Sequence, residues 1–191
     1  MNETTHRRRE RWGASIVVLH WVTAACVIAL LETGWQLRAL MGDLGPYTMS
    51  LRVHASLGVL LLAVTLVRVV ARLVARRPSA QTGGRLRRVS AGSVQAALYL
   101  TLLALVATGI VAAAPRPFMP TVQLFGAWPL PKIASVPPDM MRSMPRIHAT
   151  LTWLLLGLVG LHVAAAIYGT LVAGERTIFR MLPWPRRDHG T

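Results

Sequence analysis

The chain has 191 residues, 53% of them hydrophobic and only 15% charged, and a formal net charge of +14. That balance excludes an ordinary soluble domain and favours a membrane protein. The basic excess by itself suggests nucleic acid, but its distribution along the chain gives another reason for it, and no nucleic-acid partner is expected.

The N-terminal segment "HRRRERWGAS" is polar and basic. The first apolar run follows, at about residues 16–36. It has the outline of a signal peptide, with "TAAC" as a loose cleavage site, but it continues past Cys26 for longer than a signal core should. Cys26 is the only cysteine. An internal disulfide is therefore impossible, and a buried structural thiol is expected. Three more runs occupy about residues 51–73, 94–114 and 147–172. Each is about 20 residues or longer, enough to cross ~30 Å of hydrocarbon as a helix.

Between the second and third runs lies "RRPSAQTGGRLRR", short, polar and broken by Gly and Pro. The connection between the first two is also short. The one from residue 115 to 145 is long and proline-rich and is expected to cover the bundle as an irregular cap with about one helical turn. Trp12, Trp35 and Trp184 fall near the expected membrane interfaces. No internal repeat stands out. The expected fold is an all-α integral membrane protein, a four-helix transmembrane bundle forming one domain over residues 1–191.

Four spans place both termini on one side. The N-terminal tail, the middle connection and the C-terminal end together hold 14 of the 21 basic residues. The positive-inside rule makes that side cytoplasmic and the 115–145 cap periplasmic, in a bacterial inner membrane.

Two of six histidines, His6 and His189, lie in polar tails. The other four, His20, His54, His148 and His162, lie inside the apolar runs, where a polar ring is costly and usually functional. His148 and His162 are fourteen residues apart. Fourteen helical residues rise about 21 Å and return to nearly the same face, so these two cannot share one metal. Two sites are required, each with a ligand from another helix. Depth pairs His20 with His162 and His54 with His148. Zinc or copper normally wants a third or fourth ligand, and none lies at matching depth. Haem brings four nitrogens and needs only two axial ligands. Two bound haems with both axial positions filled imply electron transfer, with no catalytic side chain at the metal.

Gly58, Ala24, Ala165 and Ala166 lie within about one turn of the histidines and would let a flat macrocycle approach, although helix packing favours the same small residues. Arg68 and Arg72 are candidate propionate contacts. Snorkelling to lipid headgroups suits Arg72 equally well.

"VLHWV", "RVHASLGVLLLAVTLVRVVARL", "RIHATLTWLLLGLVGLHVAAA" and "RMLPWPRR" resemble the bacterial cytochrome b561 family, in particular its small stand-alone members of the superoxide oxidase type. The resemblance covers all four spans. It implies two haem b groups on His20, His54, His148 and His162, an inner-membrane location, and electron exchange with ubiquinone. Two positions depart from the pattern: Gln95 stands where a histidine is expected in close relatives, and Ala149 where a Glu is frequent. The first puts a quinone or propionate contact in doubt, the second a local hydrogen bond.

The resemblance implies a superoxide:ubiquinone oxidoreductase. An electropositive approach would speed encounter with the superoxide anion. On the expected periplasmic side Arg38, Arg52, Arg116, Lys132, Arg142 and Arg146 outnumber Glu32, Asp43 and Asp139 by three. Arg116, Lys132, Arg142 and Arg146 are the candidate steering residues, although stray charges on a polar loop would look the same. The alternative is a membrane anchor and electron relay for a redox protein partner, as in the cytochrome subunits of hydrogenases and formate dehydrogenases. An ion channel is disfavoured, because the polar residues in the spans form no continuous stripe.

Overall fold

The computed structural model describes residues 13–74, 85–114, 121–130, 136–174 and 178–182. Four helices dominate: α1 (Ala14–Ala39), α2 (Leu44–Val74), α3 (Arg85–Ala112) and α4 (Pro138–Leu171). All four contain a segment long and apolar enough to cross a membrane. Large apolar side chains such as Ile28, Val67, Leu100 and Leu154 stay exposed on every helix, as expected where lipid replaces water as the solvent.

The helices exceed the apolar runs, mainly at their N-termini. α2 begins at Leu44 and takes in Pro46 within its first turn, where a missing N–H has no carbonyl to meet. α3 begins at Arg85, ahead of the apolar run. α4 begins at Pro138 and continues through Pro145, where the sequence suggested a break. A helical proline removes one ladder hydrogen bond, and the turns on both sides of Pro145 are long enough to carry the helix across it.

The described part of the 115–145 segment holds more regular structure than an irregular cap. Two short strands, β1 (Gln123–Leu124) and β2 (Trp128–Pro129), pair antiparallel. Their tight turn places Phe125 at φ 51° and Gly126 at φ 75°, left-handed conformations that suit a hairpin but strain a bulky residue. Val122 and Leu130, which flank the hairpin, are buried. The Phe125 N–H donates to Ser56 Oγ on α2 at 2.8 Å, which fixes the hairpin over that end of the bundle. At the opposite end a 3₁₀ turn (Ile178–Met181) lies against α1, where the Trp21 indole N–H donates to the Met181 carbonyl at 2.6 Å.

The closest helix pairs are α1 with α2 and α3 with α4, and α2 meets α3 less extensively. The bundle is thus two helical hairpins side by side. Cys26, Leu61, Leu102, Leu105 and Leu155 form the buried cluster between them. Cys26 is a buried free thiol, as expected. Several intramembrane hydroxyls bond to carbonyls of their own helices: Thr23 donates to Leu19 O at 2.6 Å and Thr152 to His148 O at 2.9 Å.

Candidate functional site

The four intramembrane histidines meet in two pairs. The rings of His54 (α2) and His148 (α4) have centres 6.2 Å apart, at the hairpin end. Those of His20 (α1) and His162 (α4) are 6.3 Å apart, at the end near the 3₁₀ turn. Two imidazoles on opposite faces of one metal atom, with bonds of about 2 Å and about 1.1 Å from nitrogen to ring centre, have centres about 6 Å apart. The spacing therefore fits a bis-imidazole haem at both places. Each pair also links helices that are not closely packed against one another, α2 with α4 and α1 with α4. A flat macrocycle needs that separation. Among the described residues no three His, Cys, Asp or Glu side chains converge as they would for a bare metal ion.

At the hairpin end each ring rests against a Thr-Gly pair of the neighbouring helix. Thr33 Oγ1 on α1 lies 2.9 Å from His54 Nδ1, and Thr108 Oγ1 on α3 lies 3.1 Å from His148 Nδ1. The adjacent glycines make the approach possible. A Cβ on Gly34 would come within 3.4 Å of His54 Cε1, and one on Gly109 within 3.2 Å of His148 Cε1. Gly58 is different: a Cβ there would meet no atom within 4 Å, so it adjoins open space one turn beyond His54.

The other end is built around a cation. Arg68 on α2 extends Nη2 to within 2.9 Å of His20 Nδ1. Guanidinium groups only donate, so this nitrogen of His20 accepts. The Arg68 guanidinium also lies over the Tyr99 ring, 5.7 Å from its centre. Arg68 Nε, Tyr99 Oη and Thr65 Oγ1 are buried without a hydrogen-bond partner. Buried polar atoms are normally paired, and the Arg68 guanidinium beside His20, with Nε without a partner, suits the carboxylates of a haem. Arg72, one turn further along α2, is half-buried.

The two helical hairpins also prove to be copies of one pattern. "ALLETG" (29–34) in α1 matches "ALVATG" (104–109) in α3, and "RVHASL" (52–57) in α2 matches "RIHATL" (146–151) in α4. The buried leucines Leu61 and Leu155 occupy equivalent positions, as do Leu30 and Leu105 of the core. The expectation of no internal repeat is therefore corrected. The same offsets place Gln95 opposite His20 and Arg68 opposite His162. The hairpin-end pair joins equivalent positions of the two copies, whereas the other pair joins non-equivalent ones, and this disguises the repeat.

The remaining expected site residues scatter. Arg142 and Arg146 are exposed at the start of α4, and Arg142 lies 3.8 Å from Asp139. Arg116 and Lys132 lie outside the described residues, as do Trp12 and Trp184; Trp35 is exposed. Gln95 and Ala149 are half-buried.

The family model of prokaryotic cytochrome b561 matches residues 11–184. The chain is also similar to cytochrome b561 homolog 2 of Escherichia coli K12, with 26% identity over 184 residues, covering 95% of this chain and 96% of that protein. Four apolar spans, histidines paired at two depths and a match over nearly the whole length agree. The chain belongs to the prokaryotic cytochrome b561 family, multi-pass membrane proteins that bind haem b and transfer electrons.

Proposed function

We propose that this chain is a di-haem superoxide:ubiquinone oxidoreductase of the bacterial inner membrane, a single domain with both termini in the cytoplasm. His54 and His148 would hold one haem b, and His20 and His162 the other. The observation that carries the di-haem reading is the pair of ring separations, 6.2 and 6.3 Å, at opposite depths of one bundle; superoxide and ubiquinone rest on the sequence resemblance. When bound, haem with two imidazole ligands supplies one-electron chemistry and leaves iron no open position for substrate.

The chain's own residues position and charge the two sites. Arg68 and Arg72 are suited to haem propionates. For His20 to ligate iron through Nε2, Arg68 would have to release Nδ1, which would then carry the ring proton; the Arg68 Nε, without a partner, is free to meet a propionate either way. The exposed Arg142 and Arg146, with Arg116 and Lys132 from the same sequence segment, would gather superoxide. Two superoxide anions each give up one electron and leave as O2, while one ubiquinone takes two electrons and two protons to become the quinol.

Stopped-flow mixing of the oxidised protein with superoxide tests this reading. Fast haem reduction, with ubiquinone reoxidising the protein, is expected. Slow reduction by superoxide, together with co-purification of a dehydrogenase or hydrogenase, would instead make the chain a membrane relay.

A further inference from the structure

We propose that Thr33 and Thr108 are positioning residues that hold the ring protons of His54 and His148 on Nδ1, leaving Nε2 of both rings free for iron. The proposal rests on the reading of these two histidines as axial ligands.

A threonine hydroxyl has one proton to give. Thr33 directs it to the Ala29 carbonyl at 2.8 Å, with the Leu30 carbonyl at 3.2 Å. Thr108 does the same with Ala104 at 2.8 Å and Leu105 at 3.1 Å. With that proton committed to the helix, the oxygen can only accept from the histidine. Contacts of 2.9 and 3.1 Å to Nδ1 then require a hydrogen on Nδ1. In a neutral imidazole the other nitrogen is left with its lone pair. The opposite tautomer would turn the hydroxyl toward Nδ1 and cost each threonine its bond to the helix carbonyl.

Gly34 and Gly109 complete the arrangement. Each follows its threonine directly, and a methyl at either position would press on Cε1 of the same ring, at 3.4 and 3.2 Å. Threonine fixes the ring proton, while glycine lets the ring lie against the helix. Both internal copies carry this dipeptide, in "ALLETG" and "ALVATG". The other pair lacks it: there His20 Nδ1 faces Arg68, a pure donor. The hairpin-end site is thus preset for ligation, and the other must first exchange a proton.

A ligand histidine whose second nitrogen donates to an oxygen is the more basic ligand. It favours oxidised iron and lowers the potential of its site. Redox titration of the haem-loaded protein, followed by absorption and low-temperature electron paramagnetic resonance, tests the proposal. In Thr33→Val and Thr108→Val one of the two midpoint potentials should rise and the other stay fixed, with a larger rise in the double variant. Thr33→Ser and Thr108→Ser keep the oxygen and should titrate like wild type. Loss of one haem from the valine variants but not the serine variants supports the same role, since outer contacts of this kind are worth roughly 10–100-fold in metal affinity. Unchanged potentials in the double valine variant, or equal effects of Val and Ser, would overturn it. Retention of both haems in His54→Ala and His148→Ala would instead overturn the ligand reading beneath it.

Discussion

Arg68 of α2 donates a hydrogen bond to Nδ1 of His20 on α1, spanning 2.9 Å between the two helices of one hairpin. The contact sets a fixed positive charge beside one histidine pair. No cation contacts the other pair in the same way among the described residues, where Thr33 and Thr108 take that place.

A nearby positive charge stabilises the reduced, less positive iron. At an effective dielectric of about 20, a unit charge about 8 Å away is worth about 2 kcal/mol, or roughly 90 mV for one electron. Arg68→Met should therefore lower one midpoint potential by up to that order, leaving the other near its wild-type value. Arg68→Lys should recover part of the shift. Redox titration of the three proteins is the check, and equal displacement of both potentials would contradict a local effect.

Gly109 and Gly34 occupy equivalent places but differ in clearance. An added Cβ would come to 3.2 Å of the His148 ring and to 3.4 Å of the His54 ring. Overpacking of this kind costs about 1–3 kcal/mol where neighbours cannot give way. Gly109→Ala should weaken retention of the hairpin-end haem more than Gly34→Ala does. Gly58→Ala adds its methyl to open space inside a helix, so it should raise the polypeptide's own thermal stability slightly, by up to about 1 kcal/mol. Haem content and thermal melts of the three purified variants measure both effects.

The sequence made the four spans and the two histidine pairs legible, because a polar ring in a lipid-solvated helix stands out and fourteen residues of helix place His148 and His162 at different depths. It did not reveal the threonines. A Thr-Gly dipeptide in an apolar helix reads as ordinary close packing, and only the folded neighbour shows which ring Thr33 or Thr108 faces. The repeat was hidden because its copies diverge where the chemistry differs, at His20 against Gln95 and Arg68 against His162. The β-hairpin escaped because its strands have two residues each, too short for an alternating pattern. The helical start of α4 escaped because Pro145 looks like a stop signal.

Charge steering should be unequal among the basic residues at the hairpin end. Arg142 lies 3.8 Å from Asp139, which offsets its field, whereas the exposed Arg146 pairs with no carboxylate among the described residues. If superoxide is drawn in electrostatically, Arg146→Gln should slow its reaction more than Arg142→Gln, and Asp139→Asn should speed it. All three effects should fade as salt rises, since screening acts over ~8 Å at physiological ionic strength. A neutral reductant should respond to none of them. Stopped-flow reduction at several salt concentrations is the measurement.

Everything proposed for this protein depends on two depth-matched histidine pairs each holding one haem b. Haem content and reduced-minus-oxidised spectra of the wild type and the four single His→Ala variants test it most directly. Acidified acetone should extract two haem b per wild-type chain, because the sequence contains no Cys-x-x-Cys-His attachment motif. His20→Ala and His162→Ala should lose or alter the same spectral component, and His54→Ala and His148→Ala the other. One haem per chain, or matching spectra for His20→Ala and His148→Ala, would contradict the account.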